Sequence, residues 1–390
     1  MTEPATQLLS HLKGQSAAMF GTLKELVELE SPSSDKAALD RFSARLADLW
    51  RAAGAQVEVL RQDKAGDHLL VHVSGAANPS GSSGSSAGKP LLLLGHMDTV
   101  WEVGELARRP VRIEGDRAYG PGIYDMKGGH VQALYAVRAL KALGRGPRRP
   151  LTILCNSDEE TGSRTSRPFI EAEARKSEAV LVLEPANADG SLKTWRKGTG
   201  AYRVKAVGRA AHAGADPEKG ISAIHELAHQ VLALQALNRP DSGTTVNVGV
   251  IQGGTRSNVI PAEATASVDV RVMNPVEGER IDKAIRALTP VLPGAALEIT
   301  GGLNRPPMER SAGNLALYEK ARTLAAELGF EIAAGGTGGG SDGNFTAALG
   351  LPTLDGLGAY GDGGHAVTEH VALSALPVRA ALLARLLETL

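Results

Sequence analysis

LLLLGHMDTV, residues 91–100, carries an apolar run straight into a histidine and an aspartate two positions apart. Four leucines with no polar alternation describe a strand buried on both faces, the habit of a central strand in a sheet covered by helices. His96 and Asp98 fall where that strand ends. In an extended chain, side chains two apart point to the same side, so this pair can address one small object. Open α/β sheets gather their functional groups beyond the carboxyl ends of the strands.

Working outward, residues 5–29 and 36–53 have helical periodicity, and VEVL (57–60) and LLVHV (69–73) read as strands. SGAANPSGSSGSSAGKP, residues 74–90, reads as a flexible surface loop with nothing to bury. Helix 127–143, strand 151–155, helix 165–176 and strand 179–183 follow. This alternation predicts an α/β fold with a mixed, mostly parallel sheet. Residues 199–306 follow a different pattern, in which strand, helix, two strands, helix and strand make the βαββαβ order of a ferredoxin-like unit. Helix 312–328, a Gly-rich loop, a short strand at 351–354 and helix 371–389 then return to the α/β pattern. The expected organisation is one α/β domain built from 1–198 and 307–390, with 199–306 inserted.

Bulk properties narrow the function. A chain of 390 residues is longer than one core usually organises, which agrees with two domains. A formal net charge of −1 gives no electrostatic case for nucleic acid or an anionic membrane. Cys155 is the only cysteine, so no intrachain disulfide forms, and it is most simply a small buried hydrophobe. The first residues lack a basic segment followed by an apolar run, and no stretch approaches a membrane span. A soluble cytoplasmic protein is the expectation.

Candidate metal ligands lie at or near the strand ends: His96 and Asp98 in GHMDTV, Asp125 in GPGIYDMKGG, Glu159 and Glu160 in CNSDEETGS, Glu184 in LVLEPA, and His365 in GDGGHAVTEH. Each has an ordinary reading. Asp98 could cap a turn, Asp125 could cap the following helix, and Glu159–Glu160 could be a solvated acidic loop. Glu184 resists such a reading, because a charge at a buried strand end needs a partner. A mixed His and carboxylate set suits zinc, cobalt or manganese, and it is too large for one tetrahedral ion. Two metals sharing a bridging carboxylate would use it.

GHMDTV, GPGIYDMKGG, NSDEETGS, EPA, AAHAGADPEKGISAI, SNVIPAEATASVDVR, TGGGSDG and the late GGH resemble, in order, the motifs of the dizinc aminoacylase/glutamate carboxypeptidase family of metallopeptidases. The likeness covers nearly the whole chain and is strongest to the bacterial glutamate carboxypeptidase branch. It implies a zinc-exopeptidase-like fold and two Zn2+ ions, with Co2+ or Mn2+ as alternatives. By resemblance, His96 and Glu184 would hold one ion, Glu160 and His365 the other, and Asp125 would bridge them, followed by a cis peptide bond. Asp98 would steady the His96 ring, and Glu159 would be the general base for a water shared by the ions.

The resemblance also implies a homodimer through the inserted domain, with His212 reaching across to stabilise the oxyanion. His225 and His229, in the next helix, read instead as surface or packing residues. Asn258, Arg271 and Arg305 match positions that hold the substrate carboxylate in the carboxypeptidase branch, and Gly339, Gly340 and Ser341 could offer backbone N–H groups to the same carboxylate. One departure concerns the branch's lysine near the start of the inserted domain: neither Lys193 nor Lys197 aligns without a shift. The implied reaction is amide cleavage that releases a C-terminal amino acid, with glutamate the candidate, from N-acyl or peptidyl substrates. An amino-acid N-deacylase with the same metal centre is the alternative. A non-catalytic binding protein would lack ligands, and all are present. The glycine runs do not fit a dinucleotide fingerprint, which requires strand, G-x-G-x-x-G and helix in succession.

Overall fold

The computed structural model describes residues 2–76 and 88–390. Residues 77–87, most of the expected surface loop, lie outside the described residues. The chain divides into two compact units. One comprises Met1–Trp195, Arg310–Thr337 and Ser341–Leu390, and the other comprises Arg196–Glu309 with Gly338–Gly340.

The first unit is built on a six-stranded sheet in the order Gln56–Leu60, His68–Val73, Leu151–Asn156, Leu91–His96, Ala179–Val182 and Thr353–Leu354. The last four strands are mutually parallel, and His68–Val73 runs against its neighbours. Leu91–His96 is buried along its whole length. Its register sets Leu91 beside both Leu151 and Ala179, so three carboxyl ends finish together.

The pleat sends alternate residues of this strand into two different cores. Leu91 and Leu93 enter the larger core, with Phe42 and Trp50 of helix Lys36–Ala52, Leu134 of helix Gly128–Ala142, and Leu383 of helix Ala375–Thr389. Leu92 and Leu94 enter the smaller one, with Ile170 of helix Arg167–Lys176 and Phe345 of helix Gly343–Ala348. Both faces are therefore dry, as the unbroken leucine run requires.

The second unit holds a four-stranded antiparallel sheet in the order Thr245–Gly253, Glu263–Val272, Gly198–Val207, Ala296–Arg305. Helices Ala223–Gln235 and Pro275–Arg286 complete the βαββαβ succession. Alternation along Gly198–Val207 and Glu263–Val272 buries Tyr202, Val204, Val268 and Val270 in a separate core.

Several elements differ from the sequence expectation. The first helical stretch is two helices, Glu3–Gly14 and Ser16–Glu28, separated at Gln15. The apolar periodicity continues on both sides of the break, so the pattern alone does not reveal it. The last helix begins at Ala375, because His370–Ala372 pairs instead as a strand with Arg117–Tyr119. That small sheet, completed by Arg112–Glu114 and Gly361–Asp362, was too short and too charged to show periodicity. Asp125 is not a helix cap: the helix it precedes begins at Gly128 with no side-chain cap.

One close approach governs how that helix meets the sheet. A Cβ on Gly129 would lie 2.3 Å from the carbonyl oxygen of Leu183, the residue before Glu184. Alanine is the better helix former by up to about 1 kcal/mol. Overpacking against fixed backbone costs about 1–3 kcal/mol and should win. Gly129→Ala is therefore expected to lower stability in a denaturant titration, and an unchanged or higher midpoint would contradict this contact.

Candidate metal centre

The sheet delivers four of the candidate side chains at its strand ends. His96 is the last residue of its strand. Glu159 and Glu160 open the 3-10 turn Glu159–Thr161 after strand Leu151–Asn156, and Glu184 follows strand Ala179–Val182. Asp125 comes from the segment ahead of helix Gly128–Ala142, and its peptide bond to Met126 is cis. His365 stands in the loop between Gly361–Asp362 and His370–Ala372, with a left-handed φ of 62°.

These groups converge around Asp125. Its Oδ1 lies 3.1 Å from His96 Nε2, and its Oδ2 lies 3.4 Å from His365 Nε2. Glu184 Oε1 lies 3.5 Å from His96 Nε2, and Glu160 Oε1 lies 3.2 Å from His365 Nε2. The arrangement is thus two histidine–carboxylate pairs with one carboxylate turned to both. Glu159 joins the first pair: its carboxylate, His96 and Glu184 offer ligand atoms all within 4.8 Å of one another. His96, Asp125 and Glu160 form a second such group.

The donor set fits divalent cations. Four carboxylates meet at two imidazoles, and a single Nε2 faces oxygens of both Asp125 and Glu184. One ring N–H cannot serve two carboxylates well, whereas a cation between nitrogen and oxygens can. The His96 ring is turned for ligation, because Nδ1–H donates to the Asp98 carbonyl at 2.9 Å and leaves Nε2 facing the carboxylates. The Asp98 carboxylate is farther from that nitrogen, at 3.5 Å.

Electrostatics follow the same geometry. Burial opposes charge on His96, but hydrogen bonds to Asp125, Asp98 and Glu184 outweigh it and raise the ring's pKa well above the usual value. Hydrogen bonds to Asp125 and Glu160 lift His365 to about 11. Burial pushes the Asp125 carboxyl up, yet the two histidines hold it well below the usual carboxylate range. Glu160 moves the other way, raised by burial and by the Asp125 charge against the pull of His365.

The Asp98 carboxylate has other duties. It accepts the N–H groups of Glu159 and Glu160, both at 3.1 Å, and the Ser33 hydroxyl at 2.7 Å. It therefore fixes the turn that carries both glutamates. Asp158, the first acid of the DEE run, is buried rather than solvated. Its carboxylate accepts from Thr165 N at 2.7 Å and from Ser166 Oγ at 2.6 Å, which closes the loop behind the turn. Asp342 ties the same loop to helix Gly343–Ala348 by accepting from Asn156 Nδ2 at 2.8 Å and from Ser163 Oγ.

Glu369 is the residue that sequence reasoning missed most clearly. It is 1% exposed. Its carboxylate accepts the N–H groups of Gly122 at 2.9 Å, Tyr124 at 3.0 Å and Asp125 at 3.1 Å, and the Trp101 indole at 2.7 Å. The backbone that aims Asp125 hangs on this one side chain. Burial pushes its carboxyl up to about 7. A lone glutamate after GGH has no pattern in the sequence to reveal it. Cys155, whose thiol burial pushes up to about 12, is a buried strand residue beside Gly95, with no place among the ligands.

The remaining candidates belong to the second unit, except Ser341. His212 Nδ1 accepts the N–H groups of Gly214 at 3.1 Å and Ala215 at 2.9 Å, so in the neutral ring the proton sits on Nε2. Asn258 is next to the strand paired with His212, and its carbonyl accepts from Ala213 N. Arg271 forks onto Asp269 at 2.8 and 2.9 Å and donates to the Gly338 carbonyl at 3.3 Å. Arg305 is buried, with its Cδ 2.8 Å from where a Gly340 Cβ would stand. The carbonyls of Gly339 and Gly340 face Arg196 at 3.4 and 3.0 Å. Lys197 donates to the Gly243 carbonyl. Ser341, in the first unit, is fully buried: its N–H donates to Asn344 Oδ1 and its hydroxyl to Asp355 Oδ2. Its polar groups stabilise the loop.

Comparison with known proteins identifies the family. Residues 92–389 match the model of Peptidase family M20/M25/M40. Carboxypeptidase G2 of Pseudomonas sp. (strain RS-16) is 35% identical over 386 residues, covering 96% of this chain and 89% of that protein. An acetylornithine deacetylase of Salmonella arizonae is 32% identical over 269 residues, covering 64% of this chain and 66% of that one. The M20 family metallo-carboxypeptidase Sso-CP2 of Sulfolobus solfataricus shares the fold, with a TM-score of 0.76 at 16% identity over 95% of this chain and 98% of that one. The chain belongs to the M20/M25/M40 peptidase family, and it is an enzyme that hydrolyses peptide or acyl amide bonds.

Proposed function

We propose that the protein is a dinuclear-zinc hydrolase that releases a C-terminal amino acid, with glutamate the first candidate, from peptidyl or N-acyl substrates. The observation that carries this reading is the Asp125 carboxylate, whose two oxygens face His96 and His365 separately. His96 with Glu184 would hold one ion, and His365 with Glu160 the other. When bound, two such cations polarise the scissile carbonyl and lower the pKa of the attacking water.

The chain's own groups then divide the labour. Glu159 stands within 4.8 Å of ligand atoms on His96 and Glu184, on a turn that Asp98 holds by its backbone. As general base it takes the proton of the attacking water on its carboxylate and returns it to the leaving amine. Glu160, committed to a metal, is a poor base, so adjacent glutamates take separate roles. His212, its proton on Nε2, is the proposed donor to the oxyanion, supplied across a homodimer. The edge strand Thr245–Gly253, with Val250 and Ile251 more than half exposed, supports pairing of two copies through the second unit. Arg305 and Arg271, with Asn258, Gly339 and Gly340, are the proposed grip on the substrate carboxylate, a planar guanidinium matching it by two hydrogen bonds. Ser341 contributes to that grip by shaping the loop.

An N-deacylase acting on simple acyl amino acids is the second reading, favoured by the likeness to an acetylornithine deacetylase. The longer match to carboxypeptidase G2 supports the first. A panel of peptidyl and N-acetyl amino acids, varied at the C-terminal residue, separates them. Preference for a C-terminal Glu or Asp is expected, and equal or faster cleavage of simple N-acetyl amino acids would favour the deacylase.

Glu159→Gln is expected to retain the metal content of the wild type while kcat falls by roughly 10²–10⁴-fold, the usual contribution of a general base. Turnover within tenfold of wild type would remove Glu159 from that role. The neighbouring carboxylates that raise the ring pKa values of His96 and His365 favour a proton on each ring without metal. Zinc must displace those protons, so binding should release protons and weaken as pH falls. Calorimetry at pH 7 in buffers of different ionisation enthalpy measures this, and identical heats in all of them would contradict it.

A further inference from the structure

A second place on the molecule has the geometry of a metal chelate, and the proposed reaction does not use it. Helix Ala223–Gln235 carries His225 and His229, one turn apart on the same face. Their Nε2 atoms lie 3.2 Å from each other, and the rings are tilted by 33° with centroids 4.9 Å apart. His225 is exposed and His229 half-buried, so the pair is reachable from solvent.

That separation has a chemical meaning. Two ligands each about 2.0–2.1 Å from a tetrahedral ion sit about 3.3–3.4 Å apart, close to what the pair shows. The helix places the two side chains one turn apart before any ion arrives. Ser222 caps the helix, its side chain accepting the His225 N–H, and Glu226 anchors the next position by accepting the N–H groups of Val291 and Leu292. Little ordering is then left for binding to impose.

We propose that His225 and His229 form a two-histidine site for one late first-row divalent cation, separate from the catalytic centre. Imidazole nitrogens select zinc, nickel or copper over magnesium or calcium, which prefer oxygen ligands. Among the described residues neither group of three or more close metal-ligating side chains includes this pair. Water therefore completes the coordination, and the ion exchanges readily. Chelation ties two successive turns and favours the helical state of this segment.

The test is a titration of the metal-loaded enzyme with Zn2+, Ni2+ or Cu2+ by calorimetry, beside His225→Ala and His229→Ala variants. The wild type is expected to take up one equivalent more than either variant, with hydrolysis unchanged in both. Mg2+ and Ca2+ should give no difference among the three proteins. Alanine favours the exposed helix, so loss of binding would not reflect misfolding, and circular dichroism checks this. Equal uptake by wild type and variants would overturn the proposal and leave an ordinary hydrogen bond between the two rings. Because the readout is a difference, it does not depend on how many ions the catalytic centre holds.

Discussion

Bringing four carboxylates against two imidazoles at the end of a dry sheet is the constraint around which the first unit is organised. At these separations, like charges in a poorly screened site cannot all be ionised unless positive charge sits among them. Asp125 resolves part of the conflict by giving one oxygen to each histidine. Its low pKa and the raised pKa values of both histidines are two sides of one attraction. A bound divalent metal would answer the same demand with stronger charge and fixed direction.

Holding such a cluster in place requires a scaffold whose polar groups are already satisfied. Three buried carboxylates supply it, each by accepting N–H or O–H donors from the loops that carry the functional residues. Asp98 fixes the glutamate turn, Asp158 closes the loop behind that turn, and Glu369 gathers the backbone ahead of Asp125. Carboxylates suit this task because each can accept several hydrogen bonds, and charge-assisted bonds are the strong ones. The acidic character of the motifs thus serves two purposes: some acids face the two histidines, and others aim those that do.

The second unit is built on different physics. Its sheet is antiparallel with its own small core, and its chemistry-bearing residues stand near strand ends and in loops. His212 is held in one tautomer by two backbone N–H groups, and Arg271 is already paired with Asp269. Preorganised donors of this kind suit recognition and charge stabilisation.

Much of this was legible in the chain itself. The leucine run of residues 91–95 required a strand dry on both faces, and alternation in residues 199–306 required a second sheet. Periodicity reveals such features because burial acts on every second or every fourth residue. It does not reveal the break at Gln15, the short strands near Arg112 and His370, or the true start of the last helix, where a few residues trade local preference for pairing. Motif order named the residues that meet around Asp125. The sequence could not distinguish a glutamate that faces a histidine from one that holds backbone, because Glu160 and Glu369 differ only in what lies across from them. Residue types and local spacing determine which chemistry is available. The tertiary fold decides which atoms face one another, since those contacts join residues hundreds of positions apart and depend on burial and hydrogen bonding that no local stretch encodes.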